Sequence, residues 1–160
     1  MSTVKTNGLS IFLATFLLLL CFCCTDKTTE NKSSKKDPEE ITFIALSNVG
    51  GQSGSYSNFK ITKESTHFEG GTTANQKHKE WNVPIDEQIW NNLISSIKIK
   101  DLGSIESSPS IQPIDGMDET FQIKTTKKSH VFVNAYSDVR YRQFEEFKIK
   151  LEKLAAKYNK

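Results

Sequence analysis

Several groups of residues in this chain are of types that do chemistry. Cys21, Cys23 and Cys24 crowd into four positions, and there is no other cysteine. They close an apolar run, so they are either passengers in a leader that is discarded or a point of covalent attachment. His67, His78 and His130 fall in no HExxH or other close ligand spacing. Zinc ligation finds no support there, and the three read as surface or half-buried side chains. Asp115, Asp118 and Glu119 gather carboxylates of the kind that collect calcium, but the full spacing of a calcium loop is missing. A solvated turn entering a strand is the plainer expectation. Gly50-Gly51-Gln52-Ser53-Gly54 has the glycine content of a phosphate cradle, yet Tyr56 and a strand follow where a Lys-Ser/Thr and a helix are needed. It reads as a wide turn whose glycines take positive φ. Ser53, Ser55 and Ser57 lack a nucleophile-elbow setting. Trp81 and Trp90 flank a helix start. They are expected to pack at core and rim, the alternative being an exposed aromatic platform for sugar or peptide. Nothing in these patterns asks for a cofactor or a metal.

Composition narrows the classes. The chain has 160 residues, 21 basic and 19 acidic, for a net charge of +2. That length suits one domain, and the near-balanced charge supplies no field to hold nucleic acid. The apolar side chains are concentrated at the start, where IFLATFLLLL occupies residues 11–20 behind Lys5. A spanning helix needs roughly 20 apolar residues. A basic start, a short apolar run and a processing site predict a secretory signal instead.

The cysteine cluster closing that run resembles the lipobox of bacterial lipoproteins, in which a small residue precedes a cysteine that is lipidated and becomes the first residue of the mature chain. Leu20 before Cys21 and Phe22 before Cys23 are bulky, whereas Cys23 before Cys24 is small. The resemblance therefore implies lipidation at Cys24, with Cys21 and Cys23 as the alternatives. It implies a lipid bilayer as partner and a cell-envelope location. Thr25, not Asp, follows Cys24, which by the lipoprotein sorting rule favours the outer membrane over the inner in a two-membrane cell. Cleavage before Cys24 leaves a single, capped thiol and no intramolecular disulfide. Multiple acyl chains make such an anchor effectively permanent.

Three regions follow: a signal over residues 1–23, a lipidated cysteine with a disordered tether over 24–40, and one domain over 41–160. The tether reads TDKTTENKSSKKDPEE after the cysteine and cannot bury enough surface to offset its ordering entropy. Sixteen flexible residues span roughly 20–25 Å on average.

In the domain, alternation and branched residues predict strands over 41–47, 58–63, 66–69 and 77–83, with Gly70-Gly71 breaking the third. Asp86 is placed to cap a helix running to about Lys98, stapled by Ile85 and Trp90. An irregular stretch over 101–117 is long for a loop. The clearest hairpin pairs 119–125 with a return strand whose Val131, Val133 and Ala135 share a face. A last helix over 137–158 carries the stripe Phe144, Phe147, Leu151, Leu154, Ala155 and Tyr158. The expected fold is α+β: an antiparallel sheet of four to six strands with two amphipathic helices packed on one face.

The first strand followed by Gly50-Gly51-Gln52-Ser53-Gly54, then strands and helices, is similar to emfourin-type inhibitors of thermolysin-like metalloproteases. The resemblance implies a loop over 50–57 that enters a partner's cleft and carries over no inhibitory residue. The expected function is a membrane-anchored envelope protein with a small non-catalytic binding or structural domain, served by an envelope protein partner. The alternatives are a protease inhibitor or immunity-like protein, and an enzyme whose site is scattered through the sequence.

Overall fold

The computed structural model describes residues 38–112 and 115–158. The expected leader, Cys21, Cys23, Cys24 and the expected tether up to Asp37 lie outside the described residues, as do positions 113, 114, 159 and 160. Pro38–Lys160 is a compact unit, and among the described residues its buried apolar side chains fall between Ile41 and Ala155.

Six strands form one sheet: β1 (Ile41–Gly50), β2 (Ser55–Thr62), β3 (Ser65–Thr72), β4 (Lys77–Pro84), β5 (Met117–Thr125) and β6 (Ser129–Val133), in the order β4-β3-β2-β1-β5-β6. Every neighbouring pair is antiparallel. The helices are α1 (Glu87–Ile94) and α2 (Arg142–Ala155). Short 3-10 turns at Ile99–Ser104, Ala135–Ser137 and Val139–Tyr141 complete the path. The chain is thus the α+β fold that the pattern predicts.

Strand alternation divides the sheet into two faces. In register, Ile44 pairs with Ile61 and Ile123, and Leu46 with Phe59 and Phe121. These side chains, with Phe132, join Trp90 and Leu93 of α1 and Phe144, Phe147, Leu151 and Leu154 of α2 in one cluster. Both helices therefore cover the same face. Phe121 lies at its centre, with ring centroids 4.6 Å from Phe144 and 5.9 Å from Phe147. Phe144 closes over Phe132 at 5.6 Å and Tyr141 at 5.3 Å.

α1 begins as its sequence dictates. Asp86 Oδ1 accepts from the Ile89 amide at 2.8 Å, satisfying one free donor of the first turn, and Ile85 and Trp90 are both buried beside it. The helix ends at Ile94, short of Lys98. Ile97 reaches the core from a turn instead, and the Lys98 amide donates to Gln143 Oε1 of α2 at 2.6 Å.

Other details differ from the sequence pattern as well: β1 runs on to Gly50 and β2 begins at Ser55. β3 runs straight through Gly70-Gly71, because neighbours fill the space the missing side chains leave. A Cβ at Gly70 would strike the Phe68 ring, and one at Gly71 would overlap the Lys77 carbonyl and crowd the Tyr56 hydroxyl. In β6 the core residue is Phe132, while Val131 is 54% exposed. A Val-Phe-Val run alternates equally well either way, and the larger ring takes the buried side. α2 starts at Arg142, after two 3-10 turns in place of helix from 137.

Candidate functional site

The Gly50–Gly54 segment joins β1 to β2 at the end of the sheet away from Ile41, where the described chain enters it. Ten residues of strand at about 3.3 Å each separate the two ends by roughly 30 Å. The segment is held from both sides. The Gly51 amide donates to the Gly116 carbonyl at 3.0 Å, and Gln112 Nε2 donates to the Val49 carbonyl at 3.0 Å. Across the other flank, the Thr73 and Ala74 amides each donate at 3.1 Å, to the carbonyls of Gly54 and Ser53. The backbone needs glycine here. Gly50, Gly51 and Gly54 have φ of 138°, 74° and 60°, a region that side chains disfavour. A Cβ on Gly50 would also overlap the Gly116 carbonyl, and one on Gly54 the Thr73 hydroxyl. The result is a fixed main chain whose tip residues, Gln52 and Ser53, are exposed. Ser53 Oγ lies 2.8 Å from Ser55 Oγ.

The side that braces this loop through Gly116 is organised by Asp118 and Asn134. Asp118 accepts from Ser110 Oγ at 2.5 Å, from the Ile111 amide at 2.8 Å and from Asn134 Nδ2 at 2.8 Å. Asn134 is buried, sits at φ 47° and ψ 39°, accepts from the Glu119 amide at 2.9 Å and donates to the Pro109 carbonyl at 3.1 Å. The hydrogen bonds from Ser110, Asn134 and Ile111, in that order of size, hold the Asp118 carboxyl below its ordinary pKa. Asp138 does a similar job farther along. It accepts from the Arg140 amide at 2.7 Å and the Glu106 amide at 3.0 Å. Those two bonds, with the Arg140 charge, lower its pKa against the opposing cost of burial. The long segment after the Ile99–Ser104 turn is thus tied down by carboxylates, to β5 through Asp118 and to the turns after β6 through Asp138.

The acidic cluster of the sequence is divided by this geometry. Asp118 turns to the loop, whereas Glu119, one residue on, faces the helices and pairs with Lys148 at 3.1 Å. Lys148 in turn donates to the Tyr141 hydroxyl at 3.0 Å. Among the described residues no group of three or more His, Cys, Asp and Glu side chains is arranged to hold a metal ion.

Sequence reading left the histidines without partners. Antiparallel register brings two of them together on the face the helices leave open. Tyr56, His67, His78 and Glu80 all project there. The Tyr56 hydroxyl crosses the bare Gly71 to reach His78 Nδ1 at 2.8 Å. His78 Nε2 and His67 Nε2 each face a different oxygen of Glu80, both at 3.7 Å. The two nitrogens approach that carboxylate from opposite sides along the strands, since His67 registers with Asn82 and His78 with Gly71. His130 faces the other way, in ring contact with Phe132 at 6.2 Å.

The two tryptophans separate. Trp90 is 2% exposed and packs the core. It also forms one wall of a cavity of about 440 Å³ with Ile41, Ile94 and Ile97, rimmed by Glu40 and a Lys63–Glu87 pair at 3.6 Å. Trp81 is half-buried at the sheet edge, in a row of rings. Its centroid lies 5.4 Å from Phe68 and 5.7 Å from Tyr158, and Phe59 stands 4.7 Å from Phe68. A second cavity, of about 320 Å³, opens between α1 and α2.

No protein-family model matches the chain, and no curated protein matches it. Among the described residues no helix is long and apolar enough to cross a membrane.

Proposed function

We propose that this chain is a lipid-anchored protein of the cell envelope whose α+β domain is a non-catalytic binding module, presenting the Gly50–Gly54 edge to an envelope protein. One observation carries the binding role. The loop's main chain is fixed by hydrogen bonds on both flanks while Gln52 and Ser53 stand exposed at its tip. A segment already held in one conformation has little ordering entropy left to lose on association, so a small contact suffices. The anchor rests on the apolar run and the cysteine cluster at Cys21–Cys24, with Cys24 as the lipidated residue.

The test uses the intact chain in its membrane. Mass spectrometry of the extracted protein is expected to show an acylated N-terminal Cys24, and Cys24→Ala to lose that species. Cross-linking in membranes is expected to give a partner adduct that the double variant Gln52→Ala/Ser53→Ala weakens by tenfold or more, about 1.4 kcal/mol of lost contact. An adduct of unchanged yield in that variant removes the loop from the binding role.

The same braced loop favours a second reading, the protease inhibitor. In that reading the loop lies in the cleft of a thermolysin-like metalloprotease. Titration of such a protease with the domain decides it: residual activity falls with added domain if the reading holds and is unaffected if it does not.

A further inference from the structure

The cleft between α1 and α2 has a composition that the loop edge does not explain. Its floor is Ile89, Leu93 and Leu154, and its charged lining residues are Lys150, Lys153 and Lys157, with no acid among the residues that line it. The spacing makes this a continuous stripe: 150, 153 and 154 share one face of α2, Lys157 follows in the turn that ends it, and 89, 92 and 93 share one face of α1. Lys150 is held by Glu146 at 2.9 Å and by Ser95 Oγ at 2.6 Å. Among the described residues Lys153 and Lys157 make no ion pair.

A second feature adjoins the end of this stripe. Tyr158, 37% exposed, follows Leu154 by one helical turn and packs on the half-buried Trp81. Lys77 and Lys79 alternate with Trp81 on the same side of β4, and both are exposed. Cations beside a half-exposed Trp–Tyr pair, next to an apolar floor, match the layers of a bilayer surface. Lysine meets anionic headgroups, and Trp and Tyr settle at the headgroup level with one end apolar and one wet.

We propose that this surface, formed by the α1–α2 cleft and the Trp81–Tyr158 pair, docks the domain on anionic phospholipid. Lys153 and Lys157 meet the phosphates, and the cleft floor receives the apolar edge of the lipid. Docked so, the domain lies with its helices toward the bilayer and leaves the open sheet face, with Tyr56, His67 and His78, toward solvent. The inference rests on the envelope location proposed above, and its test omits the anchor so that the two fail separately.

The probe is a chain starting at Pro38, which spans the compact unit Pro38–Lys160 and holds no cysteine. It is sedimented with vesicles of phosphatidylcholine alone, and with vesicles of phosphatidylcholine and phosphatidylglycerol in equal parts. Binding is expected to the anionic vesicles only, weakening as salt rises. Lys153→Ala/Lys157→Ala is expected to lower the partition coefficient by about thirtyfold, the product of two cations near the surface, with circular dichroism unchanged. In Trp90→Phe, Trp81 is the remaining tryptophan. Its emission is expected to move to the blue with anionic vesicles and stay fixed with neutral ones. Equal binding to both vesicles, no binding at low salt, or full binding by the double lysine variant overturns the proposal. A loss of Cys24 acylation leaves it standing.

Discussion

The covered and the open faces of the one sheet are made by the same six strands, yet they hold the molecule together by different means. On the covered face, Ile44, Ile61, Phe121 and Ile123 are almost wholly removed from water, and aromatic rings meet edge and face around Phe121. On the open face the residues that alternate with them, Lys60, Thr62, Thr120, Gln122 and Lys124 among them, are half-buried or exposed. There, across β2, β3 and β4, Tyr56, His67, His78 and Glu80 interact through a hydroxyl, two imidazoles and a carboxylate. Even its aromatic Phe43 is covered by a cation, with Lys124 Nζ 5.0 Å above the ring. Period-two alternation lets one chain segment write both surfaces, so stability and surface chemistry can vary independently. The first follows buried apolar area, while exposed pairs of the second kind contribute little.

Phe144→Ala tests the covered side and has the largest expected effect. Phe144 has no exposed surface and touches Phe121, Phe132 and Tyr141. Truncation removes transfer free energy and leaves a cavity, for a loss of about 3–5 kcal/mol in urea unfolding. A loss below roughly 1 kcal/mol would mean that the packed face is not where the stability lies.

How much of this was legible in the sequence follows from the distance over which each feature is determined. The buried side of α2 was legible, because Phe144, Phe147, Leu151, Leu154 and Ala155 repeat within one helix and need no knowledge of the rest. The Asp86 cap and the turn nature of the three glycines are equally local. The run of β3 through Gly70-Gly71 was not, since it depends on Phe68 and Tyr56 filling space that the glycines leave. The choice of Phe132 over Val131 is a competition for burial that alternation alone cannot decide. In the candidate site the division is the same. The glycine loop announces itself, but its bracing by Gly116 and Thr73 joins residues far apart in the chain. The Tyr56–His78 contact spans 22 positions and exists only once β2, β3 and β4 are in register.

Asp118→Asn sharpens the comparison at the boundary between the two faces, where a carboxylate of the open-face row pins the segment that braces the loop. Its folded pKa lies below the ordinary value of an aspartate, 3.8. The charged form is therefore favoured by folding, and its contribution is fully present above that value and lost as pH falls through the lower, folded one. Wild type is expected to exceed Asp118→Asn in stability at about pH 7, and the gap to narrow at about pH 3. Urea titrations of both proteins at the two pH values measure it. A gap that stays constant would show that the hydrogen bonds of Asp118 do not distinguish its charged form.

Tyr56→Phe has the smallest expected effect and is the closest test of the open face. The hydroxyl lost is one end of the chain to His78, but the His78 side chain is 49% exposed, so water replaces the tyrosine oxygen at Nδ1. A hydrogen bond exchanged for one to solvent nets about 0.5–1.5 kcal/mol at most, and its exposure puts this one at the low end. The phenyl ring of the variant still covers Gly71, so the packing across the strands is retained. A double-mutant cycle with His78→Ala isolates the pair, and a coupling of about 0.5 kcal/mol or less is expected. A coupling of roughly 2 kcal/mol or more would mean that Tyr56, His78 and Glu80 act as one unit worth more than their exposed pairs. The open face would then hold the fold as the covered face does, and the separation of stability from surface chemistry in this sheet would fail.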